Sequence, residues 1–331
     1  MSLSMPQSAP IVLALGHRFA SLEIERATLN GVAQVVDANA LDEQELAAAL
    51  QQAAVVMLGT RGRLDAQTVA GLARCRAIVR YGIGVDNVAV AQATAQGILV
   101  VNIPEYCIQE VSDHTVALIL AANRRLIPAW QAASQGSWGP SVMRGTPRLA
   151  NLTVGLVGFG RIGQQVARKI APLVARVLVY DPFVSDERAR ELGVEPGTLA
   201  AVLGSADVVA LTCPLTDETR HLINAATLSQ IKPTAWLVNT SRGEIVDEQD
   251  LVEALRQGRI AGAALDVLAS EPPDAGSPLL SMPNVIVTPH VAWYSEDAVR
   301  DLQRLAAEQA LRVLSGQRPQ WVVNALPAAA V

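Results

Sequence analysis

Along most of this chain, apolar residues come in short unbroken runs that alternate with stretches whose apolar positions recur at helical spacing. Runs bounded by Gly, Pro or charge read as buried strands, and the stretches between them as amphipathic helices. From the N-terminus the pattern predicts strands at residues 11–15, 33–36, 55–58, 77–79 and 99–101. Helices are predicted between them at 21–29, 42–51, 65–71 and 85–95, with Ser21 and Asp42 placed as N-caps. Pro104 ends the fifth strand and marks a hinge, because its ring fixes φ and holds Ile103 extended. A long helix is expected from Glu110 to Ala133, kinked at Pro128. Its apolar positions (Val111, Val116, Leu118, Ile119, Leu120, Ala122) are broader than one stripe, so it is buried on more than one side. His114, near its start, reads as a structural residue.

The strongest pattern spans residues 152–181. A strand at 153–157 runs into Gly158, Gly160 and Gly163 in the spacing G-x-G-x-x-G. A helix over 161–174 follows, then a strand at 177–180 that ends in Asp181. This order is what a dinucleotide site requires. Gly158 permits the tight turn, Gly160 leaves the backbone bare for a pyrophosphate, and Gly163 lets helix and strand pack closely. Arg161 and Ile162 lie within this turn, where the helix dipole and N–H groups attract phosphate. Asp181 can accept both ribose hydroxyls and repels a 2′-phosphate, so NAD(H) is expected over NADP(H).

Further strands are predicted at 207–211, 235–238, 260–265 and 285–287, with helices at 199–203, 225–230 and 248–256. A final helix from Ser295 to Leu314 returns to the first domain. Alternation of this kind makes parallel sheets with helices on both faces. The expected fold is α/β, with two Rossmann-like domains, one flavodoxin-like and one NAD-binding, each a doubly wound parallel sheet. Residues 1–103 with 295–331 form the substrate-binding domain, and residues 104–294 the NAD-binding domain.

The chain has 331 residues and a net charge of −5 without a basic stripe, which argues against a nucleic-acid partner. No apolar run is long enough to span a bilayer, and the N-terminus lacks a signal pattern. The first residues read as an expression remnant and the last, 325–331, as loose. The three cysteines, Cys75, Cys107 and Cys213, are scattered and fit a reducing cytoplasm rather than a disulfide framework. With four histidines and no C-x-x-C, no metal site is expected. Trp130 and Trp138, with Gly136 and Gly139, suggest a loop packed against a partner, hence a homodimer.

Ligands on such sheets lie beyond the carboxyl ends of the strands. Thr212, Cys213 and Pro214, then Thr240, Ser241 and Arg242, then Asp266 fall at those ends. His290 follows the last strand, where a histidine can serve as acid and base. Glu271, in a stiff Glu-Pro-Pro turn, can orient it, and the planar fork of Arg242 can grip an α-carboxylate. Each residue alone has a commoner structural reading; three at the sheet ends of one dinucleotide domain are less easily dismissed. In the first domain, Arg80, Tyr81, Gly82, Ile83 and Gly84 form a strand-to-helix turn. That turn suits either a carboxylate or ordinary capping, and the local sequence leaves both open.

At this point the chain resembles the D-isomer-specific 2-hydroxyacid dehydrogenase family. The motifs that carry the resemblance are RYGIGVDNV, VGFGRIG, CPLTDET, NTSRGEIVDE, AALDVLASEPP and TPHVAWYSE, in that order. The resemblance implies Arg242 as substrate arginine, His290 as proton donor and acceptor, and Glu271 as its partner. It implies Asp266 near the nicotinamide amide. The segments holding Cys213, Pro214 and Thr219, and Thr240 and Ser241, would run along the cofactor. The loop of Gly82, Ile83 and Gly84 would take the substrate carboxylate.

The VAWYSE and EYCIQEVSDHT stretches are most similar to the C-terminal binding protein-like branch, in which Trp293 and Arg80 would face substrate, with Tyr81 as a further apolar wall. The expected activity is interconversion of a small 2-keto acid and a D-2-hydroxy acid with NAD(H). The alternative is an NAD(H)-sensing, corepressor-like binding protein with little turnover, and a third reading is an enzyme on phosphonate or formate. No regulatory domain is expected after residue 331, unlike the longer phosphoglycerate dehydrogenases.

Overall fold

The computed structural model describes residues 9–326. The residues read above as an expression remnant lie at positions 1–8, and most of the alanine-rich tail at 327–331; both lie outside the described residues. The chain divides into two compact units, one running to Cys107 and resuming at Ser295, the other Ile108–Tyr294.

The first unit is built on a parallel sheet of β1 (Ile11–Leu15), β2 (Gln34–Asp37), β3 (Ala53–Leu58), β4 (Ala77–Arg80) and β5 (Leu99–Val101), in the order β2-β1-β3-β4-β5. Val12, Leu13, Val55, Val56, Ile78 and Val79 are fully buried, as both faces of a helix-covered parallel sheet must be. Asp42 caps its helix with a complete capping box, Glu45 reaching back to the Asp42 N–H. Ser21 does not cap: its helix is Glu23–Thr28, and the Ser21 hydroxyl accepts from Glu23 N inside the preceding turn. The helix expected from Val85 begins only at Val90. The intervening loop is held out of helix by Asn87, whose amide donates to the carbonyls of Gly59 (3.0 Å) and Gly62 (2.7 Å). The last helix, Glu296–Leu314, is capped by Ser295 and packs against Glu23–Thr28 in this unit. Beyond it, Val322 bridges to Val101 and Asn324 bonds Val100 N, covering the free edge of β5.

The second unit carries β6 (Thr153–Val157), β7 (Arg176–Tyr180), β8 (Glu195–Pro196), β9 (Val208–Leu211), β10 (Trp236–Asn239), β11 (Gly262–Leu265) and β12 (Val285–Val287). All pairs are parallel, in the order β12-β11-β10-β9-β6-β7-β8. Chain order reverses between β6 and β9, where Val157 pairs with Leu211, and the crevice of a doubly wound sheet opens at such a point. Two elements escape the periodicity argument because they are short and polar: β8, and the helix Asp186–Glu191 capped by Ser185.

The long helix is two helices, Ile108–Asn123 and Leu126–Ser134, separated by Arg125 in the left-handed region (φ 48°). Pro128 therefore sits in the first turn of the second helix, where its missing N–H has no intrahelical partner to lose, and the break precedes it. The first helix buries Val111, Ser112, Thr115, Leu118, Ile119 and Ala122 against the helix Arg161–Ile170 and against β10 and β11. Among the described residues, no helix is long and apolar enough to cross a membrane.

Candidate active site

The glycine turn closes the first crossover of the second unit. Gly158 adopts φ +100°, and a Cβ there would meet Cys213 N at 2.5 Å, so the turn after β6 lies backbone-to-backbone against the end of β9. Thr212 ties the two ends, donating to the Gly158 carbonyl at 2.6 Å. Gly163 faces the same carbonyl, at 2.5 Å from an added Cβ. A Cβ on Gly160 would meet nothing within 4 Å: the space over this turn is open. The helix Arg161–Ile170 that follows has no side-chain N-cap, as suits an end that receives an anion.

Asp181 follows β7 beside this turn. One carboxylate oxygen accepts from Phe159 N (2.6 Å) and the other from Phe183 N (2.8 Å), which fixes the carboxylate at the turn. Further along, Thr219 closes the loop after β9 by donating to the Pro214 carbonyl (2.7 Å). Cys213 is buried, and burial, with Asp181 adding, pushes its thiol up to about 11. Ser241 fastens the end of β10 to β9 through the Leu211 carbonyl (2.9 Å).

His290 and Glu271 meet in this unit: His290 Nδ1 lies 2.6 Å from Glu271 Oε2, and Leu268 N donates to the other oxygen at 3.1 Å. Burial pushes the Glu271 carboxyl up. The hydrogen bond and charge of His290, with Leu268 N and the Arg242 charge, outweigh it, and the net direction is down. Arg242 follows β10, with Nη1 on the Ser241 carbonyl (2.8 Å). The next residue, Gly243, presses on the segment leading to Glu271: a Cβ there would fall 1.9 Å from the Leu268 carbonyl carbon. His290 itself is in the left-handed region (φ 54°), uncommon for a residue with a side chain. Trp293 Nε1 donates to its carbonyl at 3.1 Å.

Behind this turn, Asp266 and Thr240, both expected at the sheet ends, meet Thr288 and Thr115, which sequence reasoning passed over, and His114, which it read as structural. Asp266, with its side chain fully buried, accepts from Val291 N (3.0 Å), Ala292 N (2.9 Å) and the Thr288 hydroxyl (2.6 Å). His114 Nε2 stands 3.0 Å from that hydroxyl and 3.6 Å from Asp266 Oδ1. One residue on, Thr115 meets Thr240 hydroxyl to hydroxyl at 2.7 Å. The sequence offered only a partial signal: residues 112–115 are a polar run in an otherwise apolar helix, which does not identify Thr288 or Thr240 as partners.

In the first unit, the loop of Gly82, Ile83 and Gly84 is shaped by close approach. Gly82 takes φ +138° because the Arg80 guanidinium folds over it and bonds the Tyr81 carbonyl. Arg80 is buried. The Tyr81 side chain is a correction to the expected substrate wall: it points into the unit, 2% exposed, and its hydroxyl donates to Glu25 at 2.8 Å. Burial and the neighbouring Glu25 push that phenol well above its usual range. Glu25, itself fully buried and pushed up by burial, also accepts from the Gln303 amide at both carboxylate oxygens.

A family model described as the D-isomer specific 2-hydroxyacid dehydrogenase, NAD binding domain, matches residues 116–292. A D-3-phosphoglycerate dehydrogenase of Archaeoglobus fulgidus is 35% identical over 284 residues, 86% of this chain and 54% of that protein. Its counterpart from Mycobacterium tuberculosis is 38% identical over 283 residues, 86% and 53% respectively. The chain thus spans about half the length of the curated relatives it matches. Among solved structures, a protein from Thermus thermophilus aligns with a TM-score of 0.83 at 33% identity, over 95% of this chain and all of that one. The D-lactate dehydrogenase of Aquifex aeolicus, solved with NAD and lactic acid, aligns with a TM-score of 0.84 at 26% identity, over 92% and 96%.

Proposed function

This chain belongs to the D-isomer-specific 2-hydroxyacid dehydrogenase family, and on that premise we propose that it interconverts a small 2-keto acid and the D-2-hydroxy acid using NAD(H). The observation that carries the reading is the 2.6 Å contact between His290 and Glu271, in the same unit as the open glycine turn and the Asp181 carboxylate fixed beside it.

NAD(H), when bound, gives or takes the hydride. Gly158, Gly160, Arg161, Ile162 and Gly163 would hold its pyrophosphate and Asp181 its ribose. Cys213, Pro214, Thr219, Thr240, Ser241 and Asp266 would border the remainder. The Glu271 carboxylate accepts a hydrogen bond from Nδ1–H of His290, which leaves Nε2 as the atom that gives a proton to the keto oxygen or removes it in reverse. Arg242 holds the substrate carboxylate and the developing alkoxide by a paired hydrogen bond. Residues 1–103 with 295–331 would carry the substrate loop of Gly82, Ile83 and Gly84, with Arg80 as its brace, and residues 104–294 the cofactor. Trp293 would line the pocket.

The assembly is a homodimer, supported by Leu126, Ile127 and Trp130, which are exposed on the helix Leu126–Ser134, and by Trp138 at 93% exposure. We place the protein in the cytoplasm, in keeping with its unpaired cysteines. The test is NADH oxidation across a panel of 2-keto acids, with the hydroxy-acid product resolved by chirality. A D product supports the reading. Tight NADH binding with no oxidation anywhere in the panel would favour the sensing protein instead.

A further inference from the structure

His114 plays no part in the chemistry above, yet its ring is hydrogen-bonded into the scaffold of the His290 turn. A hydroxyl has one proton, and Thr288 directs its own at the carboxylate of Asp266, which can only accept, over 2.6 Å. The Thr288 oxygen must therefore accept from His114, so His114 carries its hydrogen on Nε2. Asp266 in turn holds the turn that presents His290. Its carboxylate takes Val291 N and Ala292 N, and its carbonyl takes His290 N at 2.8 Å. That turn contains the left-handed backbone of His290, which persists only where its surroundings impose it.

We propose that His114 is a positioning residue: its Nε2–H, relayed through the Thr288 hydroxyl, fixes the Asp266 carboxylate and so holds the turn that keeps the His290 imidazole on Glu271. The inference deepens the dehydrogenase reading and rests on it for its effect on turnover. The geometry of the relay is independent of substrate. A chain in which His114 donates to Thr288 and Thr288 to Asp266, each in its one allowed direction, is cooperative, and loss of any member frees the next.

The test combines spectroscopy with kinetics. In 15N-histidine spectra of the wild-type protein, His114 appears as the Nε2–H tautomer, and His290 shows a downfield Nδ1 proton from its bond to Glu271. In His114→Leu and Thr288→Val that downfield proton shifts or broadens. Turnover falls roughly 10- to 100-fold, the scale of a misplaced catalytic group, while NADH affinity is retained. His114→Gln and Thr288→Ser, which keep a donor and a hydroxyl, recover most of the loss. The double variant His114→Leu/Thr288→Val is no worse than either single one, because one relay has been cut twice. An Nδ1–H tautomer in the wild type overturns the proposal, as do additive losses or a glutamine variant as impaired as the leucine. If His114→Leu does not fold, Thr288→Ser against Thr288→Val and the wild-type tautomer decide. If the wild type turns over no keto acid, the dehydrogenase reading fails while the spectra still judge the relay.

Discussion

His290 Nδ1 and Glu271 Oε2 are 2.6 Å apart although they follow two different strands, β12 and β11. In the proposed mechanism Nδ1 serves orientation and Nε2 the chemistry. Replacing His290 with Ala should lower kcat on the order of 10²- to 10⁴-fold, the usual contribution of a positioned acid–base group. NADH binding, read by fluorescence, should persist. Unchanged turnover would remove His290 from the mechanism.

The same pair makes a stability prediction. The folded Glu271 carboxyl titrates below its ordinary range, so the protein binds its proton less well than the unfolded chain does. The pair's contribution is then fully present above the unfolded value and is lost as pH falls through the folded one. Glu271→Gln should melt below wild type near neutral pH, and the gap should close below about pH 4. A gap that is constant across that range contradicts the assignment.

Asp181 predicts cofactor choice. Its two oxygens are already anchored by Phe159 N and Phe183 N, so a 2′-phosphate would meet a fixed negative charge. Asp181→Ser should weaken NADH and improve NADPH, narrowing their ratio of kcat/KM by at least about tenfold, the equivalent of roughly 1.4 kcal/mol. Steady-state rates with both cofactors give the answer.

Much of this site could be read along the chain. The glycine spacing, Asp181 and the sheet-end residues follow from strand–turn–helix order, since a parallel sheet sends every functional side chain to the same edge. The break at Arg125 could not be read, because nothing in a local pattern announces a left-handed residue other than Gly or Asn. Nor could the fate of Tyr81, whose partner Glu25 is 56 positions away and is itself held by Gln303, 278 positions beyond Glu25. His114 was set aside for the same reason: its hydrogen bond to Thr288 spans a sequence separation of 174.

Tyr81 supplies a prediction that separates packing from binding. Tyr81→Phe leaves the buried Glu25 with Gln303 alone, which should cost about 1–3 kcal/mol of stability in denaturant titrations. KM for the keto acid should stay as it was. A large rise in KM without loss of stability would return the ring to the substrate pocket.

Gly158→Ala should be costly in two ways. The left-handed backbone at φ +100° disfavours any side chain by about 1–3 kcal/mol, and the added methyl would strike the main chain at Cys213. Lower melting temperature together with weakened NADH binding is expected, and a variant that binds NADH normally would argue that the turn does not carry the pyrophosphate.

The bare α-carbon of Gly243, pressed on the Leu268–Ala269 peptide, welds the guanidinium-bearing turn to the acid-bearing one. That close approach leaves no room for a side chain between the two turns. A saturation library at position 243 should return only the parental residue, and new substrate preferences will have to be engineered from walls that are free to move.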